Sequence, residues 1–258
     1  MIRVLIVDDS SFMRKSLAVI VGSDPSLQVA DVACDGVEAV QKTRELRPDV
    51  VLLDIEMPKM DGIMALMRIM SECPTAVVML SALNKNDPAI AIKSLQYGAV
   101  DFIAKPSGVI SYDIEEIREE IVSKIKGAAG VDVSRLGFRR TQWLDGGRGP
   151  GKPEGRKDVV IIGASTGGPN AIVTVLCGLP RNIQAAILVA QHMSREFVPS
   201  FVDRLRWECF LEISVAQGGD VILPGQVFVL PCGYNAEIAR DVDAKRIRLM
   251  RMEGGHGT

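Results

Sequence analysis

The chain has 258 residues, 47% of them hydrophobic and 24% charged, which is enough to bury the cores of two ordinary domains. Its formal net charge of -2 provides no long-range attraction to nucleic acid or to an anionic membrane surface, and neither partner is expected. The sequence has no apolar run long enough for a membrane span and no N-terminal signal core, so we expect a cytoplasmic protein. Five cysteines stand singly without a C-x-x-C pair, which predicts reduced packing residues and neither a disulfide framework nor a zinc site.

The first half of the chain alternates short apolar runs with amphipathic segments. The runs predict strands over residues 3–7, 28–33, 50–53, 76–80 and 101–104. Five βα units of this spacing predict a parallel sheet covered by helices on both faces. Ligands bind at the carboxyl ends of the strands in such sheets, so the polar residues at those ends form the candidate site.

Acidic, hydroxyl and basic side chains follow four of these strands. They are Asp8, Asp9, Asp54, Ser81 and Lys105. Three carboxylates at one sheet edge would repel one another, and a divalent ion with oxygen ligands would neutralise them. Mg²⁺ is the ion expected. Asp54 could then accept a phosphoryl group as an aspartyl-phosphate, whose charge Lys105, Ser81 and the ion would meet. For any single aspartate, capping of the next helix is a competing interpretation.

Four motifs in this half resemble the response-regulator receiver family. They are Val7-Asp8-Asp9-Ser10, the run from Leu53 to Gly62, Ser81-Ala82 and Ala104-Lys105-Pro106. The resemblance covers residues 1–125 and implies a flavodoxin-like (βα)5 receiver domain. It also implies that Asp54 is the phosphoacceptor, and that Asp8, Asp9 and Asp54 bind Mg²⁺ together with the Glu56 carbonyl.

The same resemblance implies that Ser81 and Lys105 sense the phosphate. Phe102 stands at the family's aromatic switch position. Ordinary strand packing is an equally open interpretation for Phe102.

Residues 126–157 differ in composition from both flanking regions. Glycines recur, Pro150 and Pro153 appear, and charged residues lack an apolar period. These features predict a linker.

A second α/β pattern begins at Asp158 and predicts a second doubly wound parallel-sheet domain over residues 158–258. The pattern predicts strands over 159–162, 185–190 and 212–216, helices over 169–177 and 197–207, and a hairpin pairing 235–239 with 246–252. The stretch from Gly218 to Pro231 predicts a turn, a tight loop and another strand. Asp220 is expected to shape the turn before Val221.

The first strand of this domain leads into Gly163-Ala-Ser165-Thr-Gly-Gly-Pro169. Glycines on both sides of Ser165 permit a sharp turn that exposes its hydroxyl beside the amide groups of the next helix. A glycine-rich turn that binds a phosphate, or nothing, is the alternative. His192 follows the next strand at the same sheet edge, so we expect a contact between Ser165 and His192, although a structural hydrogen bond is also open to such a histidine.

The Ser165 turn, Gln191-His192-Met193 and the stretch from Gly219 to Pro231 together resemble the CheB family of chemotaxis protein-glutamate methylesterases. The resemblance implies a nucleophilic Ser165, a His192 general base and an oxyanion site at the Thr166 amide, with no cofactor for the ester chemistry. The implied reactions are hydrolysis of glutamate methyl esters and deamidation of glutamines on methyl-accepting chemoreceptors. Phosphorylation of the receiver by the chemotaxis histidine kinase, in a two-component system, is implied to relieve inhibition.

One departure from this family concerns the third member of the catalytic triad. The family pattern continues past Thr258 to further strands and a loop that carries an aspartate, and no carboxylate lies between Ser165 and His192. We therefore expect a domain that is incomplete at its C-terminus and has little esterase activity, since loss of the acid costs about 10⁴-fold in turnover. A hydrolase using His256 with Asp220, Asp241 or Asp243 is a less favoured arrangement.

Two other classes of protein compete with the enzyme. A non-enzymatic phospho-receiver with a degenerate esterase half would share the first-half motifs. A transcriptional regulator is disfavoured, because no basic recognition helix follows the linker.

Overall fold

The computed structural model describes residues 1–81, 87–105, 114–133, 158–241 and 244–251. The chain divides into two compact units, residues 1–139 and 140–258, and each is described by itself. Most of the predicted linker, from residue 134 to residue 157, lies outside the described residues. Within the described ranges, no helix has both the length and the apolar character needed to cross a membrane.

The first unit contains one parallel five-stranded sheet in the order β2-β1-β3-β4-β5. Its strands are β1 (Ile2–Val7), β2 (Leu27–Ala33), β3 (Val50–Asp54), β4 (Ala76–Ser81) and β5 (Asp101–Ala104). The predicted flavodoxin-like sheet is confirmed. In β1 and β3 the apolar side chains, Val4–Val7 and Val50–Leu53, are all fully buried, as expected for central strands of a sheet covered on both faces.

Helices follow each of these strands. They are α1 (Ser11–Gly22), α2 (Gly36–Leu46), α3 (Gly62–Glu72), α4 (Asp87–Ser94) and α5 (Ile114–Ala129). Side-chain oxygens of Ser10, Asp35 and Asp61 accept backbone N–H groups at the starts of α1, α2 and α3, so these polar residues fix where each helix begins.

The last helix of the unit passes the predicted domain boundary at residue 125. Ala128 in α5 is fully buried, and Val131 and Val133 pack against the same core. A buried ion pair of 3.0 Å between Lys124 Nζ and Asp101 Oδ1 joins α5 to β5. Packing therefore extends the first unit several residues into the glycine-containing stretch.

The second unit is built on a parallel four-stranded sheet in the order β6-β7-β9-β8, with a separate antiparallel hairpin of β10 and β11. Its elements are β6 (Asp158–Ala164), α6 (Gly168–Cys177), β7 (Ala185–Gln191), α7 (Val198–Glu208), β8 (Glu212–Val215), β9 (Gln226–Val229), β10 (Tyr234–Arg240) and β11 (Lys245–Arg251). The predicted second parallel-sheet α/β domain is thus present.

The hairpin is tied to the sheet through a shared apolar cluster. Ile247 of β11 is 1% exposed and belongs to the same cluster as Leu188 and Phe228. At the hairpin turn, the N–H of Asp241 donates to the carbonyl of Ala244 over 2.8 Å. This hydrogen bond joins the chain just after β10 to the chain just before β11.

Candidate functional site

In the first unit, the carboxyl ends of three strands bring a lysine against two aspartates. Lys105 Nζ lies 2.8 Å from Asp8 Oδ2 and 2.7 Å from Asp54 Oδ1. The parallel register places β1 beside β3 and β4 beside β5, which is why residues far apart in the sequence meet at one edge. The sequence-based placement of these three side chains agrees with the geometry.

The two aspartates of this cluster are almost completely buried. Asp8 is 0% exposed and Asp54 is 2% exposed. Burial raises the pKa of Asp54 to about 6, against the lowering effect of Lys105. Burial also acts to lower the pKa of Lys105, but its contacts with Asp54 and Asp8 outweigh this and raise it. Asp54 is therefore a dehydrated carboxyl group that depends on a nearby cation for its charged form.

The acidic cluster fits a hard divalent cation. One oxygen from each of Asp8, Asp9 and Asp54 can lie within 4.8 Å of the others, and Asp9 is exposed. Asp8 Oδ2 lies against Lys105 but accepts no hydrogen bond of good geometry from the described part of the chain. Such a set of oxygen donors suits Mg²⁺. The backbone of Glu56 acts to lower the pKa of Asp54, so it lies beside the cluster.

The two remaining predicted residues of this unit are buried. Ser81, 0% exposed, ends β4, and its carbonyl accepts the N–H of Lys105 over 2.7 Å. Phe102 is 1% exposed in β5, with Lys124 Nζ 5.3 Å from its ring centroid. These contacts of Phe102 are those of strand packing, and a switching role stays a prediction. Pro106 and Ala82 lie outside the described residues.

A glycine that sequence reasoning did not explain supports the strand end that bears Asp54. A Cβ on Gly62 would lie 1.9 Å from the carbonyl oxygen of Asp54, and the Gly62 N–H donates to the Ile55 carbonyl over 2.9 Å. The start of α3 therefore lies directly against the backbone of Asp54. Only a residue without a side chain permits this approach.

In the second unit, the predicted contact between the serine and the histidine is present. Ser165 Oγ lies 3.4 Å from His192 Nδ1, and both residues are exposed. Ser165 follows β6 and His192 follows β7, whose ends pair in register at Ala164 and Gln191. With the imidazole proton on Nε2, Nδ1 can accept the hydroxyl proton of Ser165.

The turn that carries Ser165 has the geometry that its glycines predict. The Gly168 N–H donates to the Ser165 carbonyl over 2.7 Å, and Gly167 adopts φ 72° and ψ -6°. These values match the third position of a type II turn, which favours glycine. Thr166 occupies the second position and is followed by Gly167, the N-cap of α6. Backbone N–H groups at the start of a helix favour a negative charge.

Gln191 connects the two candidate catalytic residues, and sequence reasoning assigned it no role. Its Nε2 donates to the Ser165 carbonyl over 3.0 Å and to the His192 carbonyl over 2.9 Å. Its Oε1 is buried and lies 2.0 Å from the position a Cβ on Gly168 would take. The amide therefore holds the serine turn and the histidine strand end together, and Gly168 leaves space for it. The one feature of the sequence that could have indicated this role is the position of Gln191 directly before His192.

The described residues provide little support for the alternative hydrolase, in which His256 would act with Asp220, Asp241 or Asp243. Asp220 shapes its turn as predicted, because its Oδ2 accepts the Gln217 N–H over 2.8 Å. His256 and Asp243 lie outside the described residues.

Comparison with known proteins assigns both halves of the chain. The family model described as "Response regulator receiver domain" matches residues 4–119, and "CheB methylesterase" matches residues 160–256. The protein-glutamate methylesterase/protein-glutamine glutaminase of Pyrococcus abyssi is 42% identical over 260 residues, covering 99% of this chain and 70% of the relative. The protein of the same name from Halalkalibacterium halodurans is 40% identical, covering 93% of this chain and 68% of the relative.

Solved structures resemble each half separately. The response regulator domain of Thermotoga maritima CheB is 50% identical, with a TM-score of 0.47, and covers 51% of this chain and 98% of that domain. The Thermotoga maritima CheB methylesterase catalytic domain is 29% identical, with a TM-score of 0.37, covering 38% of this chain and 52% of that domain. On the family matches and the identity with its relatives, the chain belongs to the family of protein-glutamate methylesterases/protein-glutamine glutaminases that carry a receiver domain.

Proposed function

We propose that this chain hydrolyses glutamate methyl esters, and deamidates glutamines, on the cytoplasmic segments of methyl-accepting chemoreceptors, with Ser165 as the nucleophile. The observation that carries the proposal is the 3.4 Å contact between Ser165 Oγ and His192 Nδ1 at the carboxyl ends of neighbouring parallel strands. The names of the relatives support this substrate class. Exposure of both side chains suits a protein substrate, which must approach from outside.

The reaction begins with proton transfer from Ser165 Oγ to His192 Nδ1 as Oγ attacks the ester carbonyl carbon. The developing oxyanion lies near the start of α6, where the Thr166 amide and the helix N-terminus can stabilise it. His192 then returns the proton to the departing methoxide, which leaves as methanol. Water, deprotonated by His192, hydrolyses the acyl-enzyme and regenerates Ser165. With a glutamine side chain, ammonia is the leaving group instead.

Gln191 acts in this scheme as a positioning residue. Its two hydrogen bonds hold the backbone of Ser165 and that of His192 at a fixed separation. Small displacements of a nucleophile from its base cost large factors in rate, so this bridge supports the attack geometry.

Phosphorylation of Asp54 in the first unit is proposed to control the esterase. The Asp54 carboxylate takes the phosphoryl group from a chemotaxis histidine kinase, and Lys105 and Ser81 contact the added oxygens. Asp8, Asp9 and Asp54, with the Glu56 carbonyl, would hold Mg²⁺, which supplies charge neutralisation for this transfer when bound. The phosphoryl group carries more negative charge than the carboxylate it modifies, so Lys105 exchanges its contact with Asp54 Oδ1 for the added oxygens, which links the chemistry to the surrounding contacts.

Release of methanol from methylated receptor tests the proposal. Ser165→Ala should abolish the release above background, a loss of at least about 10²-fold. Ser214→Ala, on β8, is the matched control and should leave the rate unchanged. Equal rates for the wild type and Ser165→Ala would contradict the enzyme proposal. If Asp54→Asn alone altered chemotactic behaviour, the non-enzymatic receiver would replace it.

A further inference from the structure

Two cysteines at the ends of neighbouring helices in the second unit lie in direct contact. Cys177 is the last residue of α6, and Cys209 caps the C-terminus of α7. Their sulfur atoms are 2.8 Å apart, although 32 positions separate the residues in the sequence. A disulfide bond requires about 2.05 Å, so the sulfurs need to approach by less than about 1 Å. The two sulfur atoms therefore already lie close to bonding distance.

The hydrogen bonds around this pair assign different roles to the two sulfurs. The Cys177 thiol donates to the Glu208 carbonyl over 3.3 Å, which leaves the Cys209 thiol to donate to the Cys177 sulfur. That donated hydrogen bond lowers the pKa of Cys177, with the Arg204 guanidinium acting in the same direction. The same contact raises the pKa of Cys209. Cys177 is thus the more readily ionised sulfur of the pair.

Burial distinguishes the two sulfurs in the same sense. Cys209 is 6% exposed, whereas Cys177 is only partly buried. A small oxidant therefore reaches Cys177 first, and the buried Cys209 thiol is in contact with Cys177 to react with it afterwards. Reactive cysteines of redox-responsive proteins combine a partly exposed thiol of lowered pKa with a neighbouring resolving thiol.

We propose that Cys177 and Cys209 form an intramolecular disulfide when the protein reacts with hydrogen peroxide. The Cys177 thiolate attacks a peroxide oxygen: a sulfur–oxygen bond forms, the oxygen–oxygen bond breaks, and the hydroxide released takes up a proton to become water. The Cys209 sulfur then attacks the sulfenic sulfur of Cys177. The sulfur–sulfur bond forms as the sulfur–oxygen bond breaks, and a second water leaves with the Cys209 proton. Two thiols are oxidised and one hydroperoxide is reduced.

The disulfide acts on stability and leaves the proposed catalytic contact alone. It closes a loop that contains β7 and His192, and loops of this length contribute substantially to stability when cross-linked. The bond lies at the far end of α6 from the Ser165 turn, about 15 Å away along a 10-residue helix. Oxidation should therefore raise the thermal midpoint of the second unit without changing the reactivity of Ser165. This inference does not depend on the proposed function.

The test is peptide mapping of the reduced full chain after treatment with hydrogen peroxide. Remaining thiols are alkylated, and the protein is digested without reductant. We expect a cross-linked peptide pair joining Cys177 to Cys209, loss of two of the five thiols, and reversal by dithiothreitol. The thermal midpoint of the second unit should rise by at least about 4 °C.

Two variants sharpen the test. In Cys209→Ser the cross-link and the rise in midpoint should both disappear, while Cys177 is oxidised further to the sulfinic acid. Cys73→Ser, in the other unit, is the matched control and should form the cross-link as the wild type does. Oxidation of Cys177 without the cross-link in the wild type, or cross-links that join other cysteines first, would overturn the proposal.

Discussion

The candidate sites of the two units lie at equivalent places, the carboxyl ends of parallel strands, but one is buried and charged and the other is exposed. In the first unit two buried carboxylates surround Lys105, with contacts of 2.8 and 2.7 Å. In the second unit an exposed serine lies 3.4 Å from an exposed histidine. The Gln191 side chain donates hydrogen bonds to the backbone carbonyls of both residues. Parallel strands thus provide an edge at which side chains converge, and burial decides what those side chains can do.

This difference predicts that the two sites respond differently to substitution. Removing a member of the buried charged cluster leaves an uncompensated charge, so the free energy of unfolding changes. Removing a member of the exposed pair leaves the side chains in water, so reactivity changes and stability does not. Substitutions in the buried cluster and in the exposed pair test these two expectations separately.

The largest effect is expected from Lys105→Ala. Without the ammonium group, Asp8 and Asp54 stay buried with no counter-charge, and the free energy of unfolding of the first unit should fall by about 3 kcal/mol in the absence of metal. The urea midpoint of that unit measures the change. Lys126→Ala is the control, because Lys126 pairs with Asp24 at the surface and its removal should hardly move the midpoint. Equal shifts for both variants would contradict the account of the cluster.

Asp54→Asn should stabilise the metal-free first unit, in a pH-dependent manner. The folded-state pKa of Asp54 is about 6, against an ordinary value of 3.8. The stability that this group contributes is therefore complete below pH 3.8 and is lost as the pH rises through 6. Because asparagine does not ionise, the variant should equal the wild type near pH 3.5 and exceed it by about 2 kcal/mol at pH 7.5.

Urea titrations at both pH values, with chelator present, check this prediction. Asp24→Asn provides a control of opposite sign, since hydrogen bonds from Lys126 and Ser26 lower the pKa of Asp24 to about 2. That variant should lose only a small amount of stability at pH 7.5, because solvent screens the contacts of Asp24 at the surface. An Asp54→Asn variant less stable than the wild type at pH 7.5 would show that Asp54 is not destabilised by its burial.

A smaller effect is expected from Gly168→Ala in the second unit. The new Cβ would lie 2.0 Å from Gln191 Oε1 and 2.8 Å from the Ala164 Cβ, so the Gln191 side chain must move. Loss of its bridge should slow reaction of Ser165 with a fluorophosphonate about tenfold, by misplacing the nucleophile. Gly163→Ala is the matched control, because a Cβ there meets nothing within 4 Å. Equal labelling rates for the two variants would contradict the proposal that Gln191 positions Ser165.

The sequence was sufficient for the sheets and for the residues at their edges. Runs of β-branched residues predicted all five strands of the first unit to within about one residue at each end, because strands buried on both faces carry an unmistakable apolar pattern. The rule for strand ends then selected Asp8, Asp54 and Lys105 before any distance was known. The contact between Ser165 and His192 followed from the same rule in the second unit.

Contacts that depend on the direction of a side chain were not predictable. The bridge made by Gln191 requires its amide to turn back over β6, and the contact of Cys177 with Cys209 requires two helix ends to meet. Neither follows from periodicity. The sequence also did not predict that α5 extends to Ala129, beyond the predicted boundary at residue 125. Glycine and alanine in that stretch resemble a linker in composition, yet Ala128 is fully buried.

The most direct test of the central claim is covalent labelling of the full chain by a methyl fluorophosphonate, followed by peptide mapping. We predict that the label falls on Ser165, and that His192→Gln slows labelling by at least about 10²-fold while Ser214→Ala does not. A label on another serine, or equal rates for the wild type and His192→Gln, would contradict the claim that His192 activates Ser165.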